Sequence, residues 1–224
     1  MMHLTYNRRN LIGDGCGEPN DSGLSIFGRQ VIAEMNRVGI IPDVAHCGQR
    51  TSLEAAQESR LPVVASHSVC HSLAEHCRAK TDEVIEAIAK SGGYIGIVIL
   101  PDMVGGTGDI NAFLNHIDYI AGKFGTDHVA IGSDACFSTQ PTAPPVIKTR
   151  KSFESLWPAE WGKYRIKFDP DHNSLAWTNW PVFTVGMHMR GYSDKDIRKI
   201  LGFNVMRVCK QTIAASEYAP MIRK

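Results

Sequence analysis

Short, nearly unbroken apolar runs alternate with amphipathic stretches along this chain. Ile40-Ile41-Pro42-Asp43-Val44-Ala45, Pro62-Val63-Val64-Ala65, Tyr94-Ile95-Gly96-Ile97-Val98-Ile99-Leu100 and His128-Val129-Ala130-Ile131 have the continuous apolar character of strands buried on both faces. Met2 to Asn7 reads as a further strand that begins where the chain begins. Helical spacing fills the intervals. Ile26, Phe27, Val31, Ile32, Met35 and Val38 recur with a helical period before Gly39, and Thr51 to Ser59 fits a short helix. Thr81 is placed to cap a helix carrying Val84, Ile85 and Ile88, and Asp109 to cap one carrying Ile110, Phe113, Leu114, Ile117, Ile120 and Phe124. His116 and Asp118, on that last helix, are expected to face solvent. Two more helices are expected between Trp180 and Ser216, the second starting at Ser193.

Regular alternation of strand and helix predicts a parallel α/β architecture, in which each buried strand delivers the residue at its carboxyl end to one common face. Three runs end in residues able to do chemistry: His46, His67 and Asp134. Neutral imidazole nitrogens beside a carboxylate suit a zinc-type centre, which needs both ligands and a group to handle the proton of bound water. A histidine after an apolar run is equally compatible with a hydrogen-bonded core residue, so spacing alone leaves both assignments open.

Length and charge narrow the class. With 224 residues the chain is expected to form one domain, somewhat short of the roughly 250 residues typical of an eight-unit barrel. Its 24 Lys plus Arg against 23 Asp plus Glu imply no strong attraction to nucleic acid or to an anionic membrane surface, and a small substrate fits better. No apolar stretch approaches the 18 or so residues of a membrane span. The six cysteines, Cys16, Cys47, Cys70, Cys77, Cys136 and Cys209, form no CxxC pair, which fits free thiols and a cytoplasmic location. Gly13-Asp14-Gly15-Cys16-Gly17 matches no phosphate-binding spacing and is read as turns. The stretch 135–175 holds five of the eleven prolines and is expected to be a long loop over the site.

Leu4-Thr5-Tyr6-Asn7, Gly23-Leu24-Ser25 with Phe27-Gly28, Glu34-Met35-Asn36-Arg37-Val38-Gly39, Asp43-Val44-Ala45-His46, Ser66-His67-Ser68 and Ile131-Gly132-Ser133-Asp134, in this order, together resemble the renal or membrane dipeptidase family, its bacterial branch above all. The resemblance implies a (β/α)₈ barrel with two zinc ions that hydrolyses dipeptides. It implies that His46 and His67 bind one zinc, that Asp134 passes the proton to the leaving amine, and that Arg78 binds the substrate carboxylate. An arginine suits that last task because its planar fork meets a carboxylate with two hydrogen bonds. Tyr6 stands where renal-type members carry a substrate-contacting histidine. Cys77, Ala79 and Ala135 depart from residues common beside Arg78 and Asp134 in the family.

Members of the family carry a His-x-Asp pair and a bridging glutamate on earlier strands, and those ligands have no counterpart in this chain. The expectation is therefore a single partial barrel over residues 1–224, truncated at its amino end and holding about strands four to eight with the C-terminal helices. Two histidines alone are expected to bind metal weakly, and an open sheet edge to favour self-association or a complementing chain. Two other functions remain compatible with the sequence: a non-catalytic remnant or binding subunit, and an amidohydrolase of other specificity.

Overall fold

The computed structural model describes residues 1–135, 175 and 180–218. Five short strands, β1 (Met2–His3), β2 (Pro42–Asp43), β3 (Ala65–Ser68), β4 (Ile95–Ile97) and β5 (Val129–Ile131), lie side by side in chain order. β1 pairs in parallel with β2, and β3, β4 and β5 form a second parallel set. A parallel bridge between Asp43 and Val64 joins the two sets, with Val44 N–H donating to the Val64 carbonyl at 2.8 Å and Val64 N–H to that of Pro42 at 3.0 Å. Consecutive parallel neighbours joined through helices are the sheet arrangement of a (β/α) barrel, here part of one.

The helices are α1 (Ile26–Val38), α2 (Gln49–Glu58), α3 (Asp82–Lys90), α4 (Pro101–Val104), α5 (Ile110–Phe124), α6 (Trp180–Met189), α7 (Asp194–Arg198) and α8 (Asn204–Ala215). Local chemistry sets several of their ends. Ser25 Oγ accepts from Gly28 N–H at 2.9 Å to start α1, and Gly39, at φ 79°, stops it in the left-handed region where a side chain is strained. Asp109 Oδ1 accepts from the amides of Asn111 and Ala112 at the start of α5. Thr81 stands at the start of α3 as expected but makes no side-chain capping bond. A π-helical turn, Lys199–Phe203, links α7 to α8 where one continuous helix was expected.

Ile32 and Met35 of α1, Val84, Ile85 and Ile88 of α3 and Phe113, Ile117 and Ile120 of α5 pack with Val63, Ala65, Ile95, Ile97 and Val129 in one core. Two close approaches tighten the middle of the sheet: a Cβ on Gly96 or on Gly132 would fall on the Ser66 carbonyl oxygen. Those glycines let β4 and β5 press against the segment that carries His67.

Strands are shorter than the apolar runs, because pairing stops where the chain turns into the loops at the carboxyl face. The run from Met2 to Asn7 pairs only over Met2–His3, and His46 lies in a turn beyond β2. His116 corrects an expectation: it is fully buried rather than solvent-facing. Its Nδ1 accepts from Cys70 N–H at 3.1 Å and its Nε2 donates to the Val104 carbonyl at 3.0 Å, so it ties α4 and the loop after β3 to α5. Of the stretch 135–175, all but Ala135 and Leu175 lies outside the described residues.

Candidate metal and substrate site

Beyond each strand the chain turns at the same face of the sheet, and those turns carry the polar residues. After β1, Leu4 and Thr5 are buried, Tyr6 emerges and Asn7 turns inward. After β2, a tight turn presents His46, and Thr5 Oγ1 donates to the His46 carbonyl at 3.3 Å. Lys80, fully buried, donates from Nζ to the next carbonyl, that of Cys47, at 2.7 Å and to Ser52 Oγ at 3.0 Å, which holds this turn from below. His67 lies within β3. Asp134 follows β5 at φ 52°, the single non-glycine residue with positive φ among the described residues, and this left-handed conformation re-aims the side chain at the strand ends.

His46 Nε2 and His67 Nε2 face one another at 3.1 Å. Asn7 Oδ1 lies 2.8 Å from His46 Nδ1, and Ser66 Oγ lies 2.6 Å from His67 Nδ1. With each Nδ1–H given to an oxygen, both Nε2 lone pairs point into the same gap. Two ligands bonded at about 2.0–2.1 Å to one ion stand roughly 3.0–3.4 Å apart, so the pair fits a shared metal ion. Burial, reinforced by the Arg78 guanidinium, drives both imidazoles towards the neutral form that binds metal: His46 falls far below the usual histidine value and His67 is pushed down to about 4.

Asp134 reaches the same gap from the other side. Its Oδ1 is 3.8 Å from His67 Nε2, and its Oδ2 accepts from Arg78 Nη1 at 3.0 Å. Arg78 also donates from Nη2 to the His67 carbonyl at 3.1 Å, while its buried Nε has no hydrogen-bond partner. Tyr6 stacks on His46 with ring centroids 4.4 Å apart, and burial, its largest influence, raises its hydroxyl pKa. The structure thus brings His46, His67, Asp134, Arg78 and Tyr6 together at one face. Two of the thiols are engaged away from the gap: Cys47 is buried, accepts from Thr5 Oγ1 at 3.2 Å, and burial pushes its pKa up to about 11, while Cys70 lies beside His116.

Three neighbours escaped the sequence reasoning. Asn7 orients His46. Asp43 and His3, cross-strand partners in β1 and β2, bring a carboxylate and a third imidazole to the same gap. Asp43 lay in plain view within the apolar run ending at His46, and a carboxylate in a run read as a buried strand is the signal that could have found it; the structure leaves it 1% exposed.

The chain is similar over most of its length to several known proteins. Dipeptidase tcpJ of Claviceps purpurea is 27% identical over 221 residues, covering 96% of this chain and 45% of the relative. An uncharacterized dipeptidase of Schizosaccharomyces pombe is 30% identical over 196 residues, 86% of this chain and 40% of its own length. Among solved structures, an amidohydrolase from Pseudomonas aeruginosa superposes with a TM-score of 0.76 at 32% identity, covering 94% of this chain and 63% of that one. The chain therefore spans less than half the length of these curated relatives. A family model described as membrane dipeptidase, peptidase family M19, matches residues 1–157, more than two thirds of the sequence. By that match, and by a partial barrel with its polar residues gathered at one end of the strands, the chain belongs to the membrane dipeptidase family.

Proposed function

We propose that this chain is the carboxyl-terminal part of a zinc-dependent dipeptidase, acting on dipeptides once the rest of the barrel is supplied. The observation that carries it is the pair of Nε2 atoms 3.1 Å apart, with Asp134 3.8 Å away on the same face. His46 and His67 would hold one zinc, and the family's remaining ligands would come from outside these residues. Bound there, the ion supplies Lewis acidity and a water acidic enough to attack a carbonyl near neutral pH.

The chain's own residues account for the rest. Asn7 and Ser66 fix the tautomers of the two histidines, so that both keep a free Nε2. Asp134, held by Arg78 and one side chain away from His67, is placed to take a proton at Oδ1 and pass it to the departing amine. Arg78 meets the substrate's carboxylate. Nη1 is given to Asp134 and Nη2 to a backbone carbonyl, so the carboxylate engages the spare Nε–H or displaces Asp134 from Nη1, which releases Asp134 for proton transfer. Tyr6 forms the wall over His46 that the substrate passes.

The test is hydrolysis of free dipeptides by the chain combined with a barrel-completing segment that carries the other ligands. Zinc-dependent turnover is expected. Asp134→Asn should lower kcat by about 100-fold or more while zinc stays bound, and Arg78→Ala should raise KM most for substrates with a free carboxylate. Turnover that survives Asp134→Asn unchanged would remove Asp134 from its role. The partner implied is thus a small dipeptide, with a complementing chain or a second copy of this one at the sheet edge. A cytoplasmic location is proposed on the free thiols; no helix among the described residues is long and apolar enough to cross a membrane.

A further inference from the structure

β1 and β2 put His3 and Asp43 directly opposite one another. The Asp43 carboxylate is fixed from one side only: Oδ1 accepts from the amides of Ala45 and Ser66, both at 3.0 Å. Its other oxygen, Oδ2, has no backbone donor although the residue is 1% exposed, and its one polar neighbour is His3 Nε2 at 2.8 Å. A buried carboxylate oxygen that faces a single imidazole is poorly compensated, and a cation held between the two would complete it. The neighbouring guanidinium does not serve, since Arg78 is paired with Asp134.

Close to Asp43 stand three imidazoles. The ring centroids of His3, His46 and His67 are 5.3, 5.2 and 5.1 Å apart, nearly an equilateral triangle. One ligand atom each from His3, Asp43 and His67 all fall within 4.8 Å of one another. Ligands to a single ion stand about 3–3.5 Å apart, so the closure required is small. His3, with a side chain 35% exposed, already lies against Asp43, and Asp43 is held by two amides.

We propose that His3, Asp43 and His67, with His46 against His67, form a mononuclear site for a divalent transition metal within this chain alone. Two imidazoles and a carboxylate with an open position suit zinc, cobalt or ferrous iron rather than calcium or magnesium. The proposal shares His67 with the proposed dipeptidase centre but assigns His3 and Asp43, which that centre does not use. It replaces the expectation of weak binding by two histidines with a three-ligand site.

Metal-stripped 224-residue protein titrated with zinc against a chromophoric chelator, and with cobalt by its visible absorption, tests this directly. The expected result is one tightly bound ion per chain. His3→Ala and Asp43→Asn should each weaken zinc binding by about 100-fold or more and change the cobalt spectrum, with circular dichroism unaltered. His3 is exposed, so its variant should fold even if Asp43→Asn does not. Wild-type affinity in His3→Ala, with binding lost only in His46→Ala or His67→Ala, would overturn this proposal and leave the dipeptidase assignment standing. So would an absence of zinc binding by the intact chain, because hydrolysis restored by a barrel-completing segment is read separately.

Discussion

At the scale of single residues, buried histidines make stability depend on pH. His116 and His76 are both buried, and burial lowers both pKa values, that of His76 to about 4. Above pH 6.5 these groups are neutral folded and unfolded alike, so they add no pH dependence there. Below it the unfolded chain takes up protons that the folded one refuses, and stability falls by up to about 1.4 kcal/mol per pH unit for each such histidine, down to the folded pKa. Urea unfolding of metal-stripped protein should therefore show a lower midpoint at pH 5 than at pH 7; equal midpoints would mean that these histidines are solvated. His116→Ala should cost about 2–4 kcal/mol, because it strands the Cys70 amide and the Val104 carbonyl as well as opening a hole. That His46, His67 and Asp134 meet at one face was legible because each ends an apolar run. His116 was not, since a polar residue next to an apolar stripe is ordinarily solvated, although its spacing of three from Phe113 and four from Ile120 puts it on the buried face. His3 was hidden for another reason: its partners are its cross-strand neighbour Asp43 and His67, on a strand more than sixty residues away, a contact no local pattern encodes.

Elements were read more faithfully than their ends. α1 and α5 have strong apolar periodicity and a capping side chain, so both periodicity and punctuation mark them. Ser25→Ala should cost about 1 kcal/mol through loss of the bond to Gly28 N–H, measured as a drop in melting free energy with metal binding unchanged. Strand lengths were overestimated because apolar character continues past the regular pairing: Val98 and Ile99 are buried beyond β4, where Val98 N–H still donates to the Ser68 carbonyl at 3.1 Å. The glycines of the sheet carry information that apolar runs do not. Gly96 and Gly132 flank the Ser66 carbonyl, one residue before His67, and a methyl group at either position meets backbone rather than a flexible side chain. Gly132→Ala is expected to destabilise by roughly 1–3 kcal/mol and also to weaken metal binding, since the backbone that yields is that of His67. Loss of stability with metal affinity intact would show that β3 moves as a rigid piece.

At the scale of the whole molecule the decisive fact is where hydrogen bonding in the sheet stops. β1 pairs with β2 on one side, with Met2 N–H donating to the Ile41 carbonyl and Leu4 N–H to that of Asp43, and no other strand among the described residues pairs with β1. The amide of His3, which alternates with those two, points to the opposite side. Among the described residues β5 likewise pairs only with β4. Backbone groups on a free parallel edge attract another strand, and barrels avoid this by closing. The relatives are about twice as long as this chain and have the length to close. The 224-residue chain is therefore expected to self-associate through its edges, with a molecular mass by light scattering that rises with concentration. A barrel-completing segment competes for the same edges, so its addition should dissolve those assemblies into a one-to-one complex and create dipeptidase activity in the same titration. A chain that stays monomeric and melts cooperatively at every concentration would show that its edges are already covered.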